Sequence, residues 1–455
     1  MTEGSIFKSI ILFSLPLLVS SFFQQFYNTV DSYVVGNYVS TNALAAVGSS
    51  APIVNTLLGF FMGLSAGAGV VISQYFGAKS VSEMRDAIHS SLALTTLLGV
   101  LFTVVGLITT RPILLAIRVP EEILPDSILY LNVYYSGILF SLIFNMGAGI
   151  LRAIGDSTRP LIYLIVSSLV NVVLDFLFVC SFHMGVAGVA IATVFSQIVS
   201  AVMVMIRLMN TREDYRIELK KIRFHKKMIH RILSIGVPTA LQISVVSFSN
   251  VVVQSYINHF GTAAVAGYSA GLRIEGFWQL PIQGFNMTIT TFVGQNIGAR
   301  QPERVKKGAF ATWLMSFIVI LVSSVTIYFC APMLIRIFTN DASVVAVGSN
   351  MLKIYSYGYI TLSVVETLNG VLNGAGFSKV PMFFMLGSFV ALRQLYLFII
   401  VPLTNSLPLV FAGWPLTWLV CAISMAAYYF KRFKRDRMLE KNECPLATKK
   451  CLEHL

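Results

Sequence analysis

The sequence predicts an all-α integral membrane protein: twelve transmembrane helices arranged as two related six-helix lobes. Three observations predict it. Charged residues are too few for a water-facing surface, Lys and Arg fall on alternate connections, and segments of the first half recur in the second.

Composition bounds the class. Of 455 residues, 56% are hydrophobic and 12% charged, with a mean hydropathy of +0.76. A soluble chain carries about a quarter charged residues, and half that share cannot cover a surface in water. The apolar runs are continuous, as in Leu92 to Ile108 and Phe310 to Cys330. About 20 residues of helix cross a hydrocarbon core about 30 Å thick, whereas barrel strands read as short alternating segments. The expected spans are 10–34, 51–74, 90–109, 128–150, 160–180, 186–206, 232–257, 275–296, 309–331, 351–372, 381–402 and 407–430. Lys8 precedes the first apolar stretch and no small-residue cleavage site follows, so that stretch reads as a retained helix.

Charge placement orients the spans. A net charge of +13 would suggest nucleic acid on a soluble domain. Here the charge sits in short connections and the tail, so no nucleic-acid partner is expected. Of the 33 Lys and Arg, 27 lie on one alternate set of connections, nine of them from Arg207 to Arg231. Only Arg111, Arg118, Arg336 and Lys353 lie on the other set. Such an excess marks the cytoplasmic side. Both termini are therefore expected in the cytoplasm, with the chain in the plasma membrane of a bacterium. The five cysteines show no framework spacing. The small residues around Gly67 read as close helix packing. With no nucleophile or phosphate-cradling motif, no enzyme is expected.

The halves repeat. Ile72-Ser-Gln-Tyr-Phe-Gly-Ala-Lys79 matches Val293-Gly-Gln-Asn-Ile-Gly-Ala-Arg300 at an offset of 221. Gly149-Ile-Leu-Arg-Ala-Ile-Gly155 matches Gly370-Val-Leu-Asn-Gly-Ala-Gly376 at the same offset, and Pro160 falls on Pro381. Pro16 falls on Pro238 with a one-residue slip. Six spans per half give both halves the same topology, related by an axis along the membrane normal, as in parallel-repeat transporters. The expected domains are lobes 1–206 and 232–430, a cytoplasmic basic linker 207–231 and a basic tail 431–455.

Polar groups at membrane depth nominate the site, because a carboxylate there costs about 2.5–3.5 kcal/mol on insertion scales. Gln24, Tyr27, Asn28 and Asp31 share one face of the first span, at i, i+3, i+4 and i+7. Asn171 and Asp175 make an i, i+4 pair on the fifth, and Thr193 and Gln197 on the sixth. Two readings follow. Asp31, Asp175 and the amides could bind a small cation such as Na⁺ through oxygens, or two neighbouring carboxylates could share a proton. Asp31 falls on Val253 in the second half, and Asp175 on Tyr396. The second half instead carries Glu275 with Arg273, then Glu366 and Arg393. A Glu–Arg pair inside a bundle reads first as structural, so these four are secondary candidates.

These residues together resemble the multidrug and toxic compound extrusion (MATE) transporters over essentially the whole chain. The likeness is carried by Pro16 with Gln24, Tyr27 and Asp31, by the Gly-Ala-Lys79 and Gly-Ala-Arg300 segments, by Leu151-Arg-Ala-Ile-Gly-Asp156 with Pro160, and by Asn171 with Asp175. The resemblance implies a V-shaped twelve-helix exporter that expels organic cations and amphipathic drugs in exchange for H⁺ or Na⁺. It is nearest the DinF-type branch, whose acidic site Asp31, Asp175, Asn171 and Thr193 match. No cofactor is expected beyond the coupling ion, and no metal beyond Na⁺. The partners implied are amphipathic or cationic small molecules and the bilayer, with the protein a monomer. The rival reading is a lipid-linked oligosaccharide flippase of the same superfamily, which would want more cationic charge at depth than Arg273 and Arg393 supply.

Overall fold

A computed structural model describes residues 1–433, apart from the side chains of Asn28, Ser32, Thr41, Arg432 and Phe433. The expected tail beyond Phe433 lies outside the described residues, as does the Asn28 side chain. Every regular element among the described residues is helical. Helix α1 runs Ile6–Val34 and ends in a π-turn, Val35–Val39. It is followed by α2 (Thr41–Gly77), α3 (Val81–Ala116) and α4 (Leu124–Ala153). Helix α5 (Thr158–Asp175) runs into a second π-turn, Phe176–Ser181, before α6 (Gly185–Asn210). The second half repeats the series: α7 (Lys226–Asn258), α8 (Thr262–Gly298), α9 (Pro302–Arg336) and α10 (Ala342–Gly374). Helix α11 (Lys379–Thr404) is interrupted by a π-turn at Leu386–Leu392, and α12 spans Leu407–Tyr428.

Ten of these helices are long and apolar enough to cross a membrane; α8 and α10 are long enough but more polar. All twelve fall on the expected spans and overrun most of them by a turn or more. Large side chains such as Phe329, Leu403 and Met333 are more than 70% exposed on the helix exteriors. Such surface would aggregate in water but suits lipid, where helices associate by close packing of small residues. In one half α4 is the hub, packed on α2, α3 and α6; in the other α10 is the hub, packed on α8, α9 and α12. The equivalent glycines Gly137 and Gly358 make these hubs possible. A Cβ on Gly137 would come within 2.5 Å of Val194, and one on Gly358 within 2.8 Å of the Pro415 backbone.

The halves also share their turns. Lys79 and Arg300 both adopt positive φ, 55° and 56°, and Gly155 and Gly376 do the same, 99° and 87°. At Lys79 and Arg300 the hydrogen bonds match as well: Lys79 N donates to Phe76 O and Ser80 N to Tyr75 O, as Arg300 N does to Ile297 O and Gln301 N to Asn296 O. This left-handed cap satisfies the last carbonyls of a helix.

The chain forms two compact units, Leu15–Ala240 and Met1–Ser14 with the residues from Leu241 on. The division falls inside α1 and α7, beside Pro16 and Pro238, and not in the linker at 207–231. Packing is the reason. Ile10 of α1 is fully buried in the core around α8 and α10, and Arg304 of α9 donates to the carbonyls of Met1, Glu3 and Gly4. Conversely, the first half of α7 lies on α2, where a Cβ on Gly67 would be 2.5 Å from the Gly236 backbone.

The linker is also shorter than expected. Residues 207–210 complete α6 and 226–231 begin α7. The remainder is stitched to the start of α3. Arg85 Nε donates to Asp214 O at 2.7 Å, the Glu218 N–H to His89 Nε2 at 3.1 Å, and the His225 N–H to Ser90 Oγ at 3.1 Å. Lys221 Nζ, 2.8 Å from Glu218 Oε1, holds that carboxyl below its usual range.

Candidate functional site

The predicted site lies within the unit Leu15–Ala240. Asp31 sits one turn before the π-turn of α1, and Asp175 is the residue on which α5 gives way to its own π-turn. A π-turn holds one residue more than an α-turn and re-aims the helix after it; such turns recur at functional sites. The two π-turns pack on each other. Val34 and Val35 join Val179, Val186 and Val189 in one buried cluster, and the Tyr38 and Phe176 rings meet edge-to-face at 5.8 Å. This apolar floor brings the two acids together.

The carboxyls of Asp31 and Asp175 lie side by side, within hydrogen-bond reach of one another when one carries a proton. Asp175 is fully buried, and Asn171, one turn earlier, is 1% exposed. Among the described residues, neither oxygen of Asp175, nor Oδ1 of Asp31, nor either amide atom of Asn171 has another partner; Ser168 Oγ on the same face of α5 has none either. None of the five ion pairs among the described residues involves these acids. Two carboxyls are thus held in the protein with no basic side chain among the described residues paired to offset them, an arrangement that costs free energy unless a cation joins it.

Tyrosines complete the surroundings. Tyr27 of α1 and Tyr130 of α4 lie close enough to feel both acids. Tyr130 and Tyr134 stack at 6.4 Å. Tyr130, Tyr134 and Ser168 were missed from the sequence, although Tyr130 and Tyr134 stand at i, i+4 and Ser168 precedes Asn171 by three. Other predicted members stand apart. Gln24 is exposed and Gln197 half-buried, and no hydrogen bond joins either to the acids. The Thr193 hydroxyl donates to Val189 O of its own helix.

The second unit corrects two expectations. Arg273 and Glu275 are not a pair: Arg273 is exposed over the Phe338 ring at 5.9 Å, while Glu275 is buried and accepts from Gln279 Nε2 at 2.8 Å. Residues two apart on a helix do not face each other. Glu366 accepts from Asn286 Nδ2 at 2.7 Å and from Asn369 at 3.3 Å. Arg393 is 2% exposed. The second correction is of register. The π-turn Leu386–Leu392 inserts one residue, so beyond it the repeat offset becomes 222. Asp175 then falls on Leu397, not Tyr396, and Asn171 falls on Arg393. Positions 171–175 and 393–397 show the same run of buried, half-buried and exposed residues, and the left-handed His183 and Asn405 obey the new offset.

A MatE family signature covers residues 16–177 and, a second time, 238–399. The chain belongs to the MATE family. The two matches are of equal length and offset by 222, as the repeat requires. A probable multidrug resistance protein of Bacillus subtilis, YpnP, is 30% identical over 398 residues, covering 86% of this chain and 88% of its own. The multidrug export protein MepA of Staphylococcus aureus is 23% identical over 374 residues, covering 82% and 83%. Among solved structures, a MOP-superfamily transporter from Pyrococcus furiosus superposes with a TM-score of 0.90 at 24% identity, over 96% of this chain and 97% of that one. An outward-facing multidrug resistance MATE family transporter gives 0.89 at 24% identity, with the same coverage. The fold is therefore the MATE fold, and the protein is a multi-pass membrane transporter of the multidrug efflux family.

Proposed function

We propose that this MATE transporter is a secondary antiporter that exports amphipathic organic cations in exchange for H⁺ or Na⁺, coupled through Asp31, Asp175 and Asn171. The observation that carries the reading is the pair of carboxyls, drawn from α1 and α5, that no basic side chain among the described residues pairs with. A site of that kind takes up a cation from outside and gives it up inside. Two adjoining carboxyls hold one proton between them more readily than they hold two negative charges, which favours H⁺. Na⁺ would be held by the same oxygens with Asn171 Oδ1. Uptake removes buried charge and lets α1 and α5 repack, so the drug-binding and drug-releasing states differ in free energy; that difference is all coupling requires. Tyr27, Tyr130 and Tyr134 offer ring faces to an organic cation, with Gln24, Thr193 and Gln197 at the margins. The protein would act as a monomer in the bacterial plasma membrane with both termini in the cytoplasm.

The test is dye efflux from proteoliposomes of the purified protein, driven first by an imposed pH gradient and then by an imposed Na⁺ gradient. Asp31→Asn should stop efflux under whichever gradient drives it while the protein still reconstitutes. Unimpaired efflux by Asp31→Asn would overturn the reading.

A further inference from the structure

The second unit holds a cavity of about 620 Å³ whose walls include Glu275, Arg393, Asn250, Gln279, Trp414 and Phe389. All of these lie within that unit. Its position in the repeat corresponds to the acidic site, but its charge differs. Where the first unit has Asp31 and Asp175, the second has Val253 and Leu397, both fully buried. Where the first has Asn171, the second has a buried arginine.

Arg393 is not placed as an arginine that merely braces a bundle. A bracing arginine is offset by a carboxylate in contact, because an unpaired buried charge is expensive. No ion pair among the described residues includes Arg393. Its bonds go to neutral groups: Nε and one terminal nitrogen donate to Thr417 Oγ1 at 3.3 and 3.0 Å, and the other terminal nitrogen to Asn250 Oδ1 at 3.3 Å. A guanidinium has five N–H donors, so some remain for the cavity. The indole of Trp414 and the ring of Phe389 flank the cation at 4.9 and 5.3 Å. Glu275 stands on the same cavity beyond salt-bridge distance from Arg393, and among the described residues its hydrogen bond is with Gln279. The two charges are close enough to interact through space, yet each is left with capacity for a partner. A separated cation and anion on one aromatic-walled cavity match a ligand bearing both charges.

We propose that this cavity binds a zwitterionic amphiphile, with the ligand's carboxylate on Arg393, its ammonium toward Glu275 and its aromatic body against Trp414. A planar guanidinium suits a carboxylate. The proposal concerns binding at a second site and does not rest on the antiport reading; it is tested with no gradient.

Three probes share one fluorescent body: Nε-dansyl-lysine (zwitterion), its methyl ester (cation) and its Nα-acetyl derivative (anion). Binding to the intact protein in nanodiscs is read as dansyl emission sensitised by tryptophan. The wild-type protein should bind the zwitterion about tenfold or more tighter than either derivative, the gain expected from one charge-assisted bond. Arg393→Gln should erase the preference for zwitterion over ester. Glu275→Gln should erase the preference for zwitterion over the acetyl derivative. Equal affinity for the three probes on the wild-type protein would overturn the proposal, and that comparison needs no variant to fold. So would an Arg393→Gln protein that weakens all three alike, which is the mark of a packing role.

Discussion

The two units share a scaffold and differ in their chemistry. Each has a central helix packed on three others, equivalent glycines at its contacts and the same left-handed caps. At matched places, however, one holds two unneutralised carboxyls and the other a buried arginine beside aliphatic residues. Duplication preserves the positions where backbones touch, because a Cβ there has nowhere to go. Residues that line a polar pocket are not constrained by packing in that way, so the halves are free to diverge in charge. The difference teaches that lobe symmetry in this fold is a property of helix contacts, not of sites.

The largest expected effect comes from giving the first unit the second unit's residue. Asp175→Leu should cut efflux at least about a hundredfold, toward background, since a coupling group acts in every cycle. Adding Leu397→Asp should not restore it. Restoration, measured as dye efflux at matched expression, would mean that the two pockets are interchangeable.

Next come the shared contacts. Gly137→Leu and Gly358→Leu should each lower stability by about 1–3 kcal/mol or more through overpacking, read as thermal unfolding in detergent. The comparison requires both to be damaging; a harmless change at either would show that the hubs are not equivalent.

A smaller effect tests a feature that only one unit has. His89 accepts from the linker at Glu218, whereas its repeat partner is the exposed Phe310. His89→Ala removes one buried partner of a backbone N–H. It should raise tryptic cleavage at Arg212 and Arg216 about tenfold, while sites on the other unit cleave as before.

The smallest concerns the caps. A non-glycine residue in the left-handed region costs roughly 1–2 kcal/mol, offset in part by the freedom a glycine loses on folding. Lys79→Gly and Arg300→Gly should therefore each raise stability by up to about 1 kcal/mol. Unequal gains would show that the caps carry different loads.

The amino-acid sequence by itself determined the class, the twelve helices, the six-plus-six repeat and the asymmetry of the acids. These follow from hydropathy over about 20 residues and from local spacing, which a linear pattern records directly. Asn171 and Asp175 were legible as one face for the same reason. Only the tertiary structure decided the rest. The division of the chain inside α1 and α7 depends on which core Ile10 and Gly236 pack into, and no local pattern states that. The missing Arg273–Glu275 pair and the one-residue shift beyond Leu386 depend on where a helix points and where it winds one residue wider. Tyr130 and Tyr134 join the site because α4 packs on α5 and Tyr130 lies against the valine cluster of the two π-turns, contacts between residues far apart in the chain. A sequence carries the period of each helix; which faces meet is settled when the faces pack against one another.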